Sequence, residues 1–156
     1  MNLTKQIAAH IRDIHFGGNW TDVDMQNVLK DVTFEEATNT STPFNSIALL
    51  VFHTNFYLRI VHQRLNGDKT TRFKQEDSFI TEPPTSEVEW QALLQQTWED
   101  AEAFAKTVEQ SPDERMWDEI SKGTGSFYKN IHGVVEHNHY HLGQIVLVKK
   151  LLRGRV

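Results

Sequence analysis

The sequence predicts an all-α fold, a single domain built as a four-helix bundle. Apolar residues recur every three or four positions in four separate stretches, the spacing that lines one face of a helix. No stretch sustains the two-residue alternation of a half-buried strand. A chain of 156 residues with 38% hydrophobic content is long enough to bury one core without a partner, so residues 1–156 are read as one domain.

The first long helix, roughly Leu3 to Phe16, puts Leu3, Ile7, Ile11 and Ile14 on one stripe. It ends at Gly17-Gly18, residues that accept the left-handed turn after a helix, and Trp20 is expected to anchor the exit. Residues 19–43 read as a folded connection, with a short helix from Asp22 to Lys30 and a capping box at Thr33-Phe34-Glu35-Glu36. Thr42-Pro43 marks the start of the second long helix, Phe44 to Leu65, which carries Ile47, Leu50, Val51, Phe56, Tyr57, Ile60 and Val61 and stops at Asn66-Gly67. Residues 67–84 are polar and end in Pro83-Pro84; a connection this long is either a crossover along the bundle or a lid over a site.

Thr85 or Ser86 opens the third long helix, Glu87 to Glu109, with Trp90, Leu94, Ala101, Phe104 and Val108 facing inward. A short helical piece starts at Ser111-Pro112-Asp113-Glu114, and its Met116, Trp117 and Ile120 should cover one end of the core before Gly123-Thr124-Gly125 breaks it. The fourth long helix, Ser126 to Leu152, carries Phe127, Ile131, Val134, Val135, Ile145, Val148 and Leu152. Trp20, Trp90, Trp98 and Trp117 are assigned to packing, since large aromatics dominate cores.

Composition narrows the function. A formal charge of -5 argues against a surface made to neutralise phosphates, so no nucleic-acid partner is expected. The basic group Lys149, Lys150, Arg153 and Arg155 is read as complementing the negative end of the last helix. With no cysteine there is no disulfide, thiolate metal site or cysteine nucleophile, and any thiol chemistry needs a thiol from the substrate. No apolar run approaches the ~20 residues of a membrane span and the amino terminus has no signal core, so a soluble cytoplasmic protein without membrane contact is expected.

The informative segment is His137-Asn138-His139-Tyr140-His141-Leu142-Gly143-Gln144-Ile145. On a helix His137 and His141 lie one turn apart on one face, where two imidazoles can share an ion, while His139 points elsewhere. Chance supplies roughly 0.4 such pairs at this histidine content, so the spacing does not by itself separate metal ligands from ordinary hydrogen-bonded histidines. His53 adds a third candidate. It lies in the apolar sector of the second helix with Leu50, Tyr57 and Ile60, at a depth similar to that of His137, whereas His62 should face solvent. His10, His15, His62, His132 and His139 are expected to be surface or locally bonded residues.

Gly17-Gly18-Asn19-Trp20-Thr21, Ser46-Ile47 leading to His53, Trp90, and His137-x-x-Tyr140-His141-x-Gly143-Gln144-Ile145 together resemble the DinB-like superfamily over nearly the whole chain. The resemblance implies an up-down-down-up bundle, with residues 67–84 as the crossover between parallel second and third helices. Eighteen extended residues reach about 60 Å, enough to span a bundle near 30 Å long. It also implies a frequent homodimer and a divalent metal ion held by His53, His137 and His141; nitrogen ligands suit nickel, zinc, iron or copper. His139 departs from the pattern, standing where relatives often carry a small residue. Gly143 is read as allowing close helix approach, and Gln144 as a residue that can orient a ligand histidine.

Three neutral imidazoles leave an ion with an open position, as catalytic sites require. Some relatives resemble thiol-dependent transferases, so the leading expectation is a metal-dependent S-transferase acting in detoxification or stress response on a low-molecular-weight thiol and a small-molecule substrate. A metal-dependent hydrolase is the alternative enzyme, although His137-Asn138 lacks the glutamate of the zinc peptidase motif. A non-catalytic metal-binding stress-response module is the third reading. No catalytic acid or base stands out in the sequence.

Overall fold

The four predicted long helices form, and each begins where a side chain can accept the free N–H groups of a first turn. The helices are α1 (Leu3–Phe16), α2 (Met25–Leu29), α3 (Phe34–Thr38), α4 (Ile47–Leu65), α5 (Glu87–Glu109) and α6 (Phe127–Leu152). Asn2, Ser46, Ser86 and Ser126 cap the long ones. This computed structural model describes residues 2–68, 70–79, 83–120 and 123–155; residues 69 and 80–82 of the predicted 67–84 connection, and the two ends of the predicted 1–156 domain, lie outside the described residues. Among the described residues there is no β-strand, only an isolated bridge between Glu119 and Ser126.

Cross-helix contacts set the directions. Leu3 and Thr4 donate their backbone N–H groups to Asp113 just beyond α5, and Phe16 packs edge-on against Trp98, so α1 and α5 run antiparallel. Asn55 bonds Asp100 and His62 bonds Thr107, so residue numbers rise together and α4 runs parallel to α5. Leu50 shares a cleft with Val148, His53 meets His137, and Val61 shares a cleft with Asn130, so α4 and α6 are antiparallel. The bundle is therefore up-down-down-up. The 67–84 connection is the crossover that parallel α4 and α5 require, since a short turn joins only antiparallel neighbours.

Trp90, Phe104, Ile11, Ile14, Leu58, Ile131 and Ile145 fill the interior. The tryptophans divide, which corrects their common assignment to packing. Trp90 is fully buried and donates its indole N–H to the Val32 carbonyl at 2.9 Å, but Trp20 is 98% and Trp117 66% exposed. Asn19 does the anchoring expected of Trp20. Its amide donates to the carbonyls of Asp13 and Val23 while its oxygen accepts from the backbone and hydroxyl of Thr21, which closes the turn after Gly17 and Gly18, both at positive φ. At the other end Met116 and Ile120 are buried, and Trp117 only lies over Tyr128.

Two further expectations change. α4 starts at Ile47 rather than Phe44, because Ser46 accepts from the Leu49 N–H while Phe44 is left half exposed. The basic end of α6 does more than face its own carbonyls. Lys149 pairs with Asp31, and Arg153 pairs with both Asp31 and Glu36, fastening the α2–α3 connection to the bundle and holding both carboxyls below their usual range. No helix among the described residues is long and apolar enough to cross a membrane.

Candidate metal centre

The antiparallel contact of α4 with α6 brings together the three histidines singled out in the sequence. His53 and His141 are buried and His137 is half-buried. Nε2 of His137 lies 3.1 Å from Nε2 of His53 and 3.1 Å from Nε2 of His141. One ring nitrogen from each falls within 4.8 Å of the others, and these three form the only such group of histidine or carboxylate donors among the described residues. The geometry can hold a metal ion.

Hydrogen bonds on the far side of two rings determine which nitrogen faces the centre. A carbonyl oxygen can only accept, so Nδ1 of His53, 3.3 Å from the Ser78 carbonyl, carries its proton. Nδ1 of His141 donates likewise to Oε1 of Gln144 at 2.6 Å, and Gln144 is held by donating its amide to the Tyr140 hydroxyl. Both rings therefore present bare Nε2 lone pairs to Nε2 of His137. One proton on His137 could satisfy only one of them. A convergent set of acceptors short of protons is the donor set a cation fits, and outer partners that fix the tautomer are the usual companions of ligand histidines.

Burial lowers the proton affinity of all three rings, and their mutual proximity lowers that of His53 and His137 further, taking His137 to about 4. They are neutral near pH 7, the state in which imidazole ligates.

The walls of the site come partly from the crossover. Residues 70–79, with a 3-10 turn at Gln75–Ser78, fold across α4. Phe79 stacks on His53 at 4.2 Å, Tyr57 stands edge-on to His53 and His137, and Phe73 packs against Phe56 and Tyr57. Helical periodicity could not find Ser78, Phe79 or Phe73. The available signal was two phenylalanines in a largely polar connection. Beside His137 a cleft of about 240 Å³, lined by Tyr57, Val61, Lys129, Gly133 and Val134 among others, leads to solvent. A larger cleft of about 650 Å³, by Phe52, Pro84 and Leu93, lies away from the histidines, and its acid, Glu89, is engaged by Thr85.

The remaining histidines stay outside the group. His62 does not face solvent as expected: it is half-buried, and its Nε2 meets the Thr107 hydroxyl at 2.8 Å because parallel α5 covers that side of α4. His139 points away from the centre and packs against His10. His15 is locally bonded, as the expectation allowed: it is buried, and its Nδ1 meets the carbonyl of Ile11 one turn earlier. Gly143 is not a close-approach residue, since a Cβ there would meet nothing within 4 Å.

A sequence model of the DinB superfamily matches residues 19–145, a span that contains His53, His137 and His141. No curated protein and no solved structure matched the chain.

Proposed function

The chain belongs to the DinB superfamily, and from that premise we propose that it binds one divalent metal ion through His53, His137 and His141 and uses it to transfer a small thiol to an electrophilic substrate. The convergence of three Nε2 atoms, two with their Nδ1 protons held elsewhere, carries the reading. Neutral nitrogen donors suit nickel, zinc or iron. Such an ion lowers the pKa of a bound thiol or water, making a nucleophile at neutral pH.

The chain's own residues have separable tasks. Ser78 and Gln144 hold the outer protons of His53 and His141, while Phe79 and Tyr57 keep water from the rings. The cleft beside His137 admits small molecules, with Lys129 at its edge. Because the chain has no cysteine, the sulfur must arrive as cosubstrate. In the transfer the sulfur forms a bond to carbon as the leaving group departs with its electron pair, and the thiol proton passes to solvent. A role in detoxification or stress response, in a homodimer, completes the proposal.

Elemental analysis of protein purified without a histidine tag tests the site, and one ion per chain is expected. A thiol-transfer assay on the loaded protein, with a panel of small thiols and an aryl chloride, tests the reaction. Stoichiometric metal without transfer from any thiol would leave the site standing and reject the transferase.

A further inference from the structure

A buried histidine outside the metal centre, His15, and a half-buried one inside it, His137, are separated by a single asparagine. His15 on α1 and Asn138 on α6 are each 1% exposed. Nδ1 of His15 lies 2.7 Å from the Ile11 carbonyl, which can only accept, so the proton sits on Nδ1 and Nε2 is a bare acceptor. The Asn138 atom facing that Nε2 at 3.3 Å must therefore be the amide nitrogen, which donates to it. This orients the Asn138 carbonyl oxygen away from His15.

That oxygen, Oδ1, is buried and has no hydrogen-bond partner of good geometry. Nδ1 of the neighbouring His137 is buried and unpartnered as well. Neither atom is open to water, and a buried polar atom left unpaired is destabilising. Asn138 directly follows His137 on α6, so the two unpartnered atoms, one able to donate and one to accept, belong to adjacent side chains. A small adjustment that lets Nδ1–H of His137 donate to Oδ1 of Asn138 satisfies both atoms at once.

We propose that His15 and Asn138 are positioning residues for the metal centre: His15 orients the Asn138 amide so that its carbonyl oxygen accepts the Nδ1 proton of His137 and leaves Nε2 of His137 bare. The inference deepens the metal-site reading and rests on it, supplying for the third ligand what Ser78 and Gln144 supply for the other two. It gives a use to a histidine sealed in the core, which helix packing alone would fill more favourably with leucine.

Three variants test it: Asn138→Leu, Asn138→Asp and His15→Leu. An ordinary packing role ranks the buried carboxylate of Asn138→Asp as the worse change at position 138. The relay ranks the pair the other way for zinc, because a carboxylate can still accept from His137 Nδ1. In a competition titration with a chromophoric chelator, Asn138→Leu and His15→Leu should bind zinc about ten- to a hundredfold more weakly, and Asn138→Asp within about threefold of the parent chain. Two-bond ¹⁵N–¹H spectra of the metal-free proteins supply a readout independent of the ion. The His137 ring should move from the Nδ1–H form toward the Nε2–H form in Asn138→Leu, and not in Asn138→Asp. Unchanged zinc affinity and tautomer in Asn138→Leu, or an equal loss in Asn138→Asp, would overturn the relay. If the parent chain binds no zinc, the metal reading fails, and the tautomer spectra still decide whether Asn138 orients His137.

Discussion

Replacing any one of His53, His137 and His141 by alanine should abolish stoichiometric metal retention, because each supplies one of three convergent nitrogens. His62→Ala and His139→Ala should retain the ion, since His62 is occupied by Thr107 and His139 lies beside His10. Elemental analysis of the five proteins checks this, and a loss at His139 equal to that at His137 would contradict the helical register. His15 yields a pH prediction of a different kind. Burial takes its pKa down to about 4 from an ordinary 6.5, so between those values the unfolded chain binds the proton and the folded chain does not. Its stabilising effect is complete above pH 6.5 and is lost as pH falls toward 4, about 2 kcal/mol of it between pH 7 and 5. Urea unfolding at the two pH values should show a shallower acid loss in His15→Leu than in the parent chain. The three ligand candidates were legible because two share a helix face and the third sits at matching depth. Their hydrogen-bond partners were less so: Gln144 lies one turn from a ligand and could be suspected, but the Ser78 carbonyl carries no residue-type signal at all.

At the scale of elements, helix existence was readable from period and caps, whereas helix starts depended on which of several polar residues turned inward to cap. Thr42-Pro43 offered a plausible start for α4, yet Ser46 took the role and moved the first turn three residues on. The fold of residues 70–79 against α4 could not be read from periodicity, because it depends on Phe73 and Phe79 finding aromatic partners on another element. Trp90 shows how such tertiary ties work. Its ring packs in the core of α5 while its N–H holds the Val32 carbonyl between α2 and α3. Trp90→Phe keeps most of the apolar contact but leaves that carbonyl without its donor, and should cost about 2 kcal/mol in urea unfolding. A negligible cost would mean that the α2–α3 connection is held by its other ties, among them Lys149, Arg153 and the Phe34 N–H bond to Glu87.

For the whole molecule, a metal ion that binds only the folded chain at a hundredfold excess over its dissociation constant adds about 2.7 kcal/mol, or about 5 to 10 °C in Tm for a chain of this size. Chelation of verified holo-protein should reverse that shift, and an unmoved Tm would count against the site. A homodimer of about 36 kDa, twice the 18.1 kDa chain, should persist in light scattering on dilution through the micromolar range. Mixing His53→Ala with His137→Ala chains should regain no site if each subunit completes its own. The up-down-down-up order has a consequence for how the chain reaches this state. Among the described residues the principal long-helix contacts are α1 with α5, α5 with α4, α4 with α6, and α6 with α1, so the one packed pair of long helices consecutive in sequence, α4 and α5, is parallel and joined by the long crossover. There is no native helical hairpin to form early, and the first stable long-helix pairing must already join the two halves of the chain. Folding should be slow for an all-helical domain and all-or-none. A chain divided between residues 68 and 83 should give two pieces that show no cooperative melt apart and regain one when mixed. A cooperative melt in either piece alone would show that half of the bundle holds together without the other.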